Sequence, residues 1–248
     1  MQTSRFVWVC RLEGLIEKVV YYGVTNHPDR GHGLVNGREP QLAIKEFMDK
    51  TEELRFLKCP PYRDNMNNLF AVSSWFSLEL KVDENGGLSA DVPQKFLDSY
   101  IVTHSDKRKV YQLLQSTMFI AKDDSLMMTQ ESASMTDNSF TRDCGTISGI
   151  FDIGKYFRFI VCPFWIRSGV DRVRIKETET LYYLRFHTEK KIKFVPFFVS
   201  PKFESLVRHL GFINSNTNSW KPMKYYYKLF KEKNLKKLLI KEIEQNLL

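Results

Sequence analysis

Two apolar runs in the last third of the chain carry the strongest pattern. Leu181 to Phe186 is aromatic and β-favouring, and Ile192 to Val199 is almost continuously apolar. His187, Thr188, Glu189, Lys190 and Lys191 form a polar connection, so the stretch to Pro201 reads as two strands and a turn. Pro196 restricts the second strand to an edge, a bulge or a strand end. A run this apolar predicts burial on both faces, as in a sandwich core.

Other segments alternate in the same way. Arg5 to Leu12 and Lys18 to Thr25 read as strands, with Glu13 and Gly14 opening the turn of a hairpin. A loop rich in Gly, Pro and Asn follows. Gln41 to Leu57 has apolar residues at Leu42, Ile44, Phe47, Met48, Leu54 and Leu57, an amphipathic helix stopped by Cys59-Pro60-Pro61. Leu69 to Val82 predicts one long strand, Asn85-Gly86-Gly87 a turn, Ser89 to Val92 a short strand and Pro93 to Tyr100 a short helix. Val110, Leu113, Leu114, Met118 and Phe119 are spaced for a helix over 106–120, and the polar stretch 123–144 predicts a long surface loop. Strands follow at 146–153, 156–166 and 172–178. Lys202 to Leu210 reads as a short helix, 214–218 as a linker and Pro222 to Leu248 as a basic helix. Leu229, Leu235, Leu238, Leu239, Ile243 and Leu247 give that helix an apolar stripe that needs a partner surface. The pattern predicts an α+β chain, mainly β. It has an antiparallel β-sandwich core with peripheral helices over 1–213, and a linker with a C-terminal basic helix acting as an arm over 214–248.

Composition changes this picture little. The 248 residues suffice for a sizeable core, and 43% hydrophobic with 27% charged residues is ordinary for a globular chain. Aromatic content of 14% is high and suits large contact surfaces. No signal-peptide pattern and no run of membrane-spanning length occurs, so a reducing compartment is expected. Cys10, Cys59, Cys144 and Cys162 form no CxxC pair and are expected as free thiols, mostly in the core. The net charge of +8 invites a nucleic-acid reading. From Lys221 onward, however, eight lysines stand against three glutamates, so the tail alone carries +5 of it. That distribution argues against nucleic acid as the main partner.

Candidate chemistry is sparse. Tyr21-Tyr22-Gly23 with Thr25, Pro28 and Arg30 resembles the second motif of GIY-YIG nucleases, but the place of the first motif holds Val7-Trp8-Val9 and Arg30 sits in a Gly-rich loop. His27, Asp29 and His32 lack grouped third and fourth metal ligands. His104, Ser105 and Asp106 lack a nucleophile turn, and no Gly-rich phosphate loop is present. The lysine tail with Tyr225, Tyr226 and Tyr227 could meet nucleic acid, an acidic membrane or a neighbouring subunit; its apolar stripe favours the subunit. No catalytic, cofactor-binding or metal residue is assigned.

Several collinear segments together resemble the cypovirus polyhedrins, the matrix proteins of insect-virus occlusion bodies. They are FVWV (6–9), YYGVT (21–25), AIKEF (43–47), SLELKVDENGGLSADVPQKFL (77–97), GTISGIFDI (145–153), YLRF (183–186) and FFVSP (197–201). The resemblance covers roughly 6–210. It implies a β-sandwich with helices around it, assembled as homotrimers that pack into crystals in the infected cell's cytoplasm with virus particles trapped inside. It implies no catalysis. Some family members hold nucleotides between subunits, but no residues for one map here, so no cofactor is expected. The family member compared has an N-terminal helical arm where this sequence has almost nothing before its first strand. The C-terminal helix is therefore expected to cross-link trimers. The eleven tyrosines and the lysines titrate near pH 10, so interfaces built on them would weaken in an alkaline gut. The alternatives are a GIY-YIG-like nuclease and a basic nucleic-acid-binding module.

Overall fold

The two runs expected to pair with each other belong to different sheets. The computed structural model describes residues 18–24, 40–44, 59–105, 110–155, 160–203, 205–207, 228 and 235–248. In it β1 is Lys18–Val24, β2 Gln41–Leu42, β3 Leu69–Ser73, β4 Leu78–Val82, β5 Leu88–Ala90, β6 Ile101–Ser105, β7 Val110–Thr117 and β8 Phe119–Ala121. Next come β9 Met127–Ser132, β10 Cys144–Thr146, β11 Gly149–Asp152, β12 Ile160–Ile166, β13 Arg172–Ile175, β14 Thr180–Phe186 and β15 Ile192–Phe198. The helices are α1 Pro60–Asn65, α2 Gln94–Tyr100, α3 Ser139–Asp143 and α4 Leu235–Glu244. The chain is α+β and mainly β, with antiparallel sheets.

Strand β14 is the middle of a five-stranded sheet, order β11-β9-β14-β3-β2, antiparallel to both neighbours. Leu181 to Leu184 are all buried, so this run is the one covered on both faces. Strand β15 runs parallel to β1, whose other side pairs antiparallel with β8. It is only half-buried, with Lys193 exposed, and Pro196 sits on this outer strand as its missing N–H requires. Every other pairing among the described strands is antiparallel.

Several expected elements differ. The helix expected over 106–120 is replaced by β7 and β8, with 106–109 outside the described residues. The expected loop 123–144 contains β9 and α3. The expected helix from Gln41 opens instead as β2, paired with β3 through Gln41↔Ala71; residues 45–58 lie outside the described residues. The long strand 69–82 breaks at Ser74, whose Oγ donates to Phe76 O (2.7 Å) while Ser74 N donates to Glu179 O (2.9 Å). That local turn passes the chain from the five-stranded sheet to a three-stranded one, β13-β4-β5. The hairpin between β4 and β5 turns at Gly86, at φ 86°, where a side chain would be strained. The expected first strand, 5–12, the linker at 214–218 and the domain boundary lie outside the described residues.

One core joins the sheets. Phe70, Val72, Met128, Tyr182, Leu184 and Phe186 come from the five-stranded sheet. Tyr111, Leu113, Ile160, Cys162, Phe164 and Ile166 come from the four-stranded sheet β10-β12-β7-β6. Leu78, Leu80, Val173 and Ile175 add the three-stranded face. Phe70 and Phe186 of this core meet partly buried Phe194 edge to face, with ring centroids 4.9–5.7 Å apart.

A second cluster holds the end of the chain. Leu239 and Ile243 of α4 are buried against Met118, Ile120, Phe197, Val199, Phe203 and Val207 of the same chain. Glu242 accepts from Lys202 Nζ (2.6 Å) and Ser200 Oγ (2.7 Å), and Lys122 Nζ reaches Glu244 (2.9 Å). Beyond α4, Phe198 N donates to Asn246 O (2.8 Å) and Leu248 N to Pro196 O (3.1 Å). Leu235, Leu239 and Ile243 of the stripe find a partner surface on the β15 side of the same chain, while Leu238 and Leu247 stay exposed.

Candidate functional site

Sheets that face water on one side alternate cleanly, and the three-stranded sheet does so. Its inner positions are Leu78, Leu80, Val173 and Ile175, and its outer ones are Glu79, Lys81, Arg172 and Arg174. There Glu79 accepts from Arg174 Nε (3.0 Å) and Arg172 Nη1 (3.3 Å), which holds its carboxyl below the ordinary value.

The four-stranded sheet breaks this rule. Its inner positions, Tyr111, Leu113, Cys162 and Phe164, are buried as expected. Its outer face is also apolar. The register puts Trp165 opposite Gly145 and Val110, Pro163 opposite Gln112, Val161 opposite Leu114 and Val102 opposite Gln112. Directly opposed residues of an antiparallel pair share a face. The outward row is therefore Val102, Val110, Gln112, Leu114, Val161, Pro163 and Trp165, with Ser105 in register with Val110 on the outermost strand, so it is mostly apolar.

The indole of Trp165 lies against Gly145: a Cβ there would run into its Cζ2 and Cε2 atoms. The ring is thereby held flat on the sheet, yet is 41% exposed. Ile147, whose N–H donates to Pro163 O (2.8 Å), is 40% exposed, and Ile150 on the outermost strand β11 is 65% exposed. An exposed aromatic ring held against the sheet, with Ile147 bonded to the same strand, is suited to burying apolar area against another macromolecule.

The residues singled out from sequence are placed as follows. Tyr21, Tyr22 and Gly23 lie on β1, in register with Val195, Pro196 and Phe197, within a strand paired on both sides. Val7, Trp8, Val9, Thr25, His27, Pro28, Asp29, Arg30 and His32 lie outside the described residues, as do Asp106 and Tyr225 to Tyr227. His104 and Ser105 are on β6. Among the described residues no group of three or more His, Cys, Asp or Glu could hold a metal ion, and no helix is long and apolar enough to cross a membrane. Cys59 is exposed and Cys144 and Cys162 are buried, all as free thiols. Burial pushes the Cys144 and Cys162 thiols far above their ordinary value, and burial does the same to the Tyr182 hydroxyl.

The outward apolar row escaped the sequence reading. The one signal for it was the unbroken IVCPFWI of β12; the helix expected over β7 hid the other half. Comparisons with protein-family models, curated proteins and solved structures return no match for this chain.

Proposed function

We propose that this chain is a non-catalytic structural protein that assembles with copies of itself, a matrix protein of the cypovirus-polyhedrin kind. The observation that carries the reading is the outward apolar row ending in Trp165, on a sheet whose inner face is already filled. The motif segments add support. Residues 77–97 span β4, the turn at Gly86, β5 and most of α2, and 145–153 runs along the borders of two sheets through β10 and β11.

On this reading the partner is the chain itself, as a homotrimer packed into a lattice in the cytoplasm of an infected cell, with virus particles enclosed. No cofactor is invoked. On this reading alkali dissolves the assembly as interfacial tyrosines become anionic and lysines neutral, and the raised pKa of buried Cys144, Cys162 and Tyr182 makes the fold itself less stable as pH rises. The apolar row is tested by sedimentation velocity on the purified chain over a range of concentrations. Wild type should associate, and Trp165→Glu should weaken association by about tenfold or more. Equal association of both proteins, or a wild type that stays monomeric throughout, would remove the row from the argument.

A further inference from the structure

Where β9 ends and α3 begins, the chain builds a polar cleft that the assembly reading does not use. The turn after β9 and helix α3 enclose about 430 Å³ between Ser132, Ser134, Thr136, Thr141, Arg142 and Arg167. Ala133, buried, and Met135 also line it.

The wall is rigid. Asn138 caps α3 by accepting from Thr141 N (2.9 Å), and its own N–H donates to Thr141 Oγ1 (3.0 Å). Asn138 Nδ2 donates to Thr180 O (2.7 Å), tying the turn to β14. Thr141 Oγ1 also donates to Thr136 O (2.8 Å), and the Thr136 hydroxyl lies 2.6 Å from that of Tyr183. Arg167 is held from the other side by its backbone N–H, which donates to Asp143 O (2.9 Å).

The charge is not balanced. Two arginines and one aspartate, Asp137, line the cleft, and Asp137 Oδ1 is 3.6 Å from Arg142 Nε with both side chains well exposed, a weak pairing. Among the described residues Arg167 makes no ion pair, and the Ser132 and Ser134 hydroxyls make no hydrogen bond. Guanidiniums offer planar, paired donors that match tetrahedral oxyanions, and hydroxyls add neutral donors. We infer that this cleft is a binding site for a small oxyanion of the phosphate or sulfate class, held by Arg142 and Arg167 with Ser132 and Ser134 beside them. Asp137 then acts as the internal competitor for Arg142.

The test titrates inorganic phosphate into the full-length chain by isothermal calorimetry at fixed ionic strength. Saturable one-site binding is expected. Arg167→Ala and Arg142→Ala should each weaken it by about tenfold, the loss of one charge-assisted contact. Asp137→Asn should tighten it, an effect that damage to the fold would not produce. Circular dichroism on each variant checks that the fold is kept. No saturation in wild type up to phosphate on the order of 10 mM, a range typical of binding too weak to be specific, would overturn the site. Unchanged affinity in folded Arg167→Ala, or weaker binding in Asp137→Asn, would overturn it equally.

Discussion

Asp152 shows how much a single side chain can hold. It is 5% exposed, and its Oδ1 accepts from Leu126 N (3.2 Å) and Gly154 N (3.1 Å). Its Oδ2 accepts from Ser125 Oγ (3.0 Å) and Lys155 Nζ (2.7 Å). Removing the carboxylate would leave buried N–H donors unsatisfied, so Asp152→Ala should cost roughly 3 kcal/mol, read as a lower urea midpoint with an unchanged slope. Gly145 is constrained for a different reason. A methyl group there must displace the Trp165 ring, so Gly145→Ala should alter Trp165 fluorescence and weaken self-association while leaving the inner core filled. Cross-strand position also explains why Gln130 misled the sequence reading. It is buried on β9, with Nε2 donating to Val161 O (3.0 Å), and a buried amide in MMTQES erases the apolar alternation that marks a strand.

At the scale of elements, the misreading of β7 has a physical cause. Val110 and Leu114 face outward and Tyr111 and Leu113 inward, and all four are apolar or aromatic. A sheet apolar on both faces loses its period of two, and what remains at 110, 113, 114 and 118 mimics helical spacing. Strands β12, β13 and β14, helix α2 and the Gly86 turn were legible because their alternation or punctuation is local. The pairing of β15 with β1 was not, because partners about 170 residues apart leave no local trace. The apolar stripe of α4 was legible and its partner was not. Burying Leu239 and Ile243 makes α4 part of the body, so Leu239→Ala should destabilise the chain by about 2–4 kcal/mol in chemical denaturation. Deleting 235–248 should accordingly lower stability rather than release well-folded subunits. Glu242 adds a pH signature. Its hydrogen bonds from Lys202 and Ser200 hold its carboxyl below the ordinary 4.5. The stability it contributes is therefore present above pH 4.5 and lost as pH falls through the lowered value, and Glu242→Gln should flatten the acid limb of the stability profile.

For the whole molecule the alkaline limb matters more. Cys144, Cys162 and Tyr182 keep their protons in the fold while the unfolded chain releases them from 9.0 and 10.0 upward. An acid whose pKa is raised by folding contributes stability below its unfolded pKa and loses it as pH rises. Stability should thus fall from pH 9 upward, by as much as about 1.4 kcal/mol per pH unit for each fully ionising group. Denaturation midpoints between pH 8 and 12 measure this slope, and Tyr182→Phe should make it shallower above pH 10. Such a molecule is expected to hold at neutral pH and to loosen in alkali through its core. It is also a molecule with one clean polar sheet face and one apolar one, which is the asymmetry that the self-assembly account requires.

The most direct measurement is light microscopy of insect cells expressing the untagged chain. Self-assembly predicts faceted cytoplasmic bodies that persist at neutral pH and dissolve in alkali, and fewer or none with Trp165→Glu. A chain that stays diffuse in every cell, at expression levels where it is abundant and folded, would contradict the account.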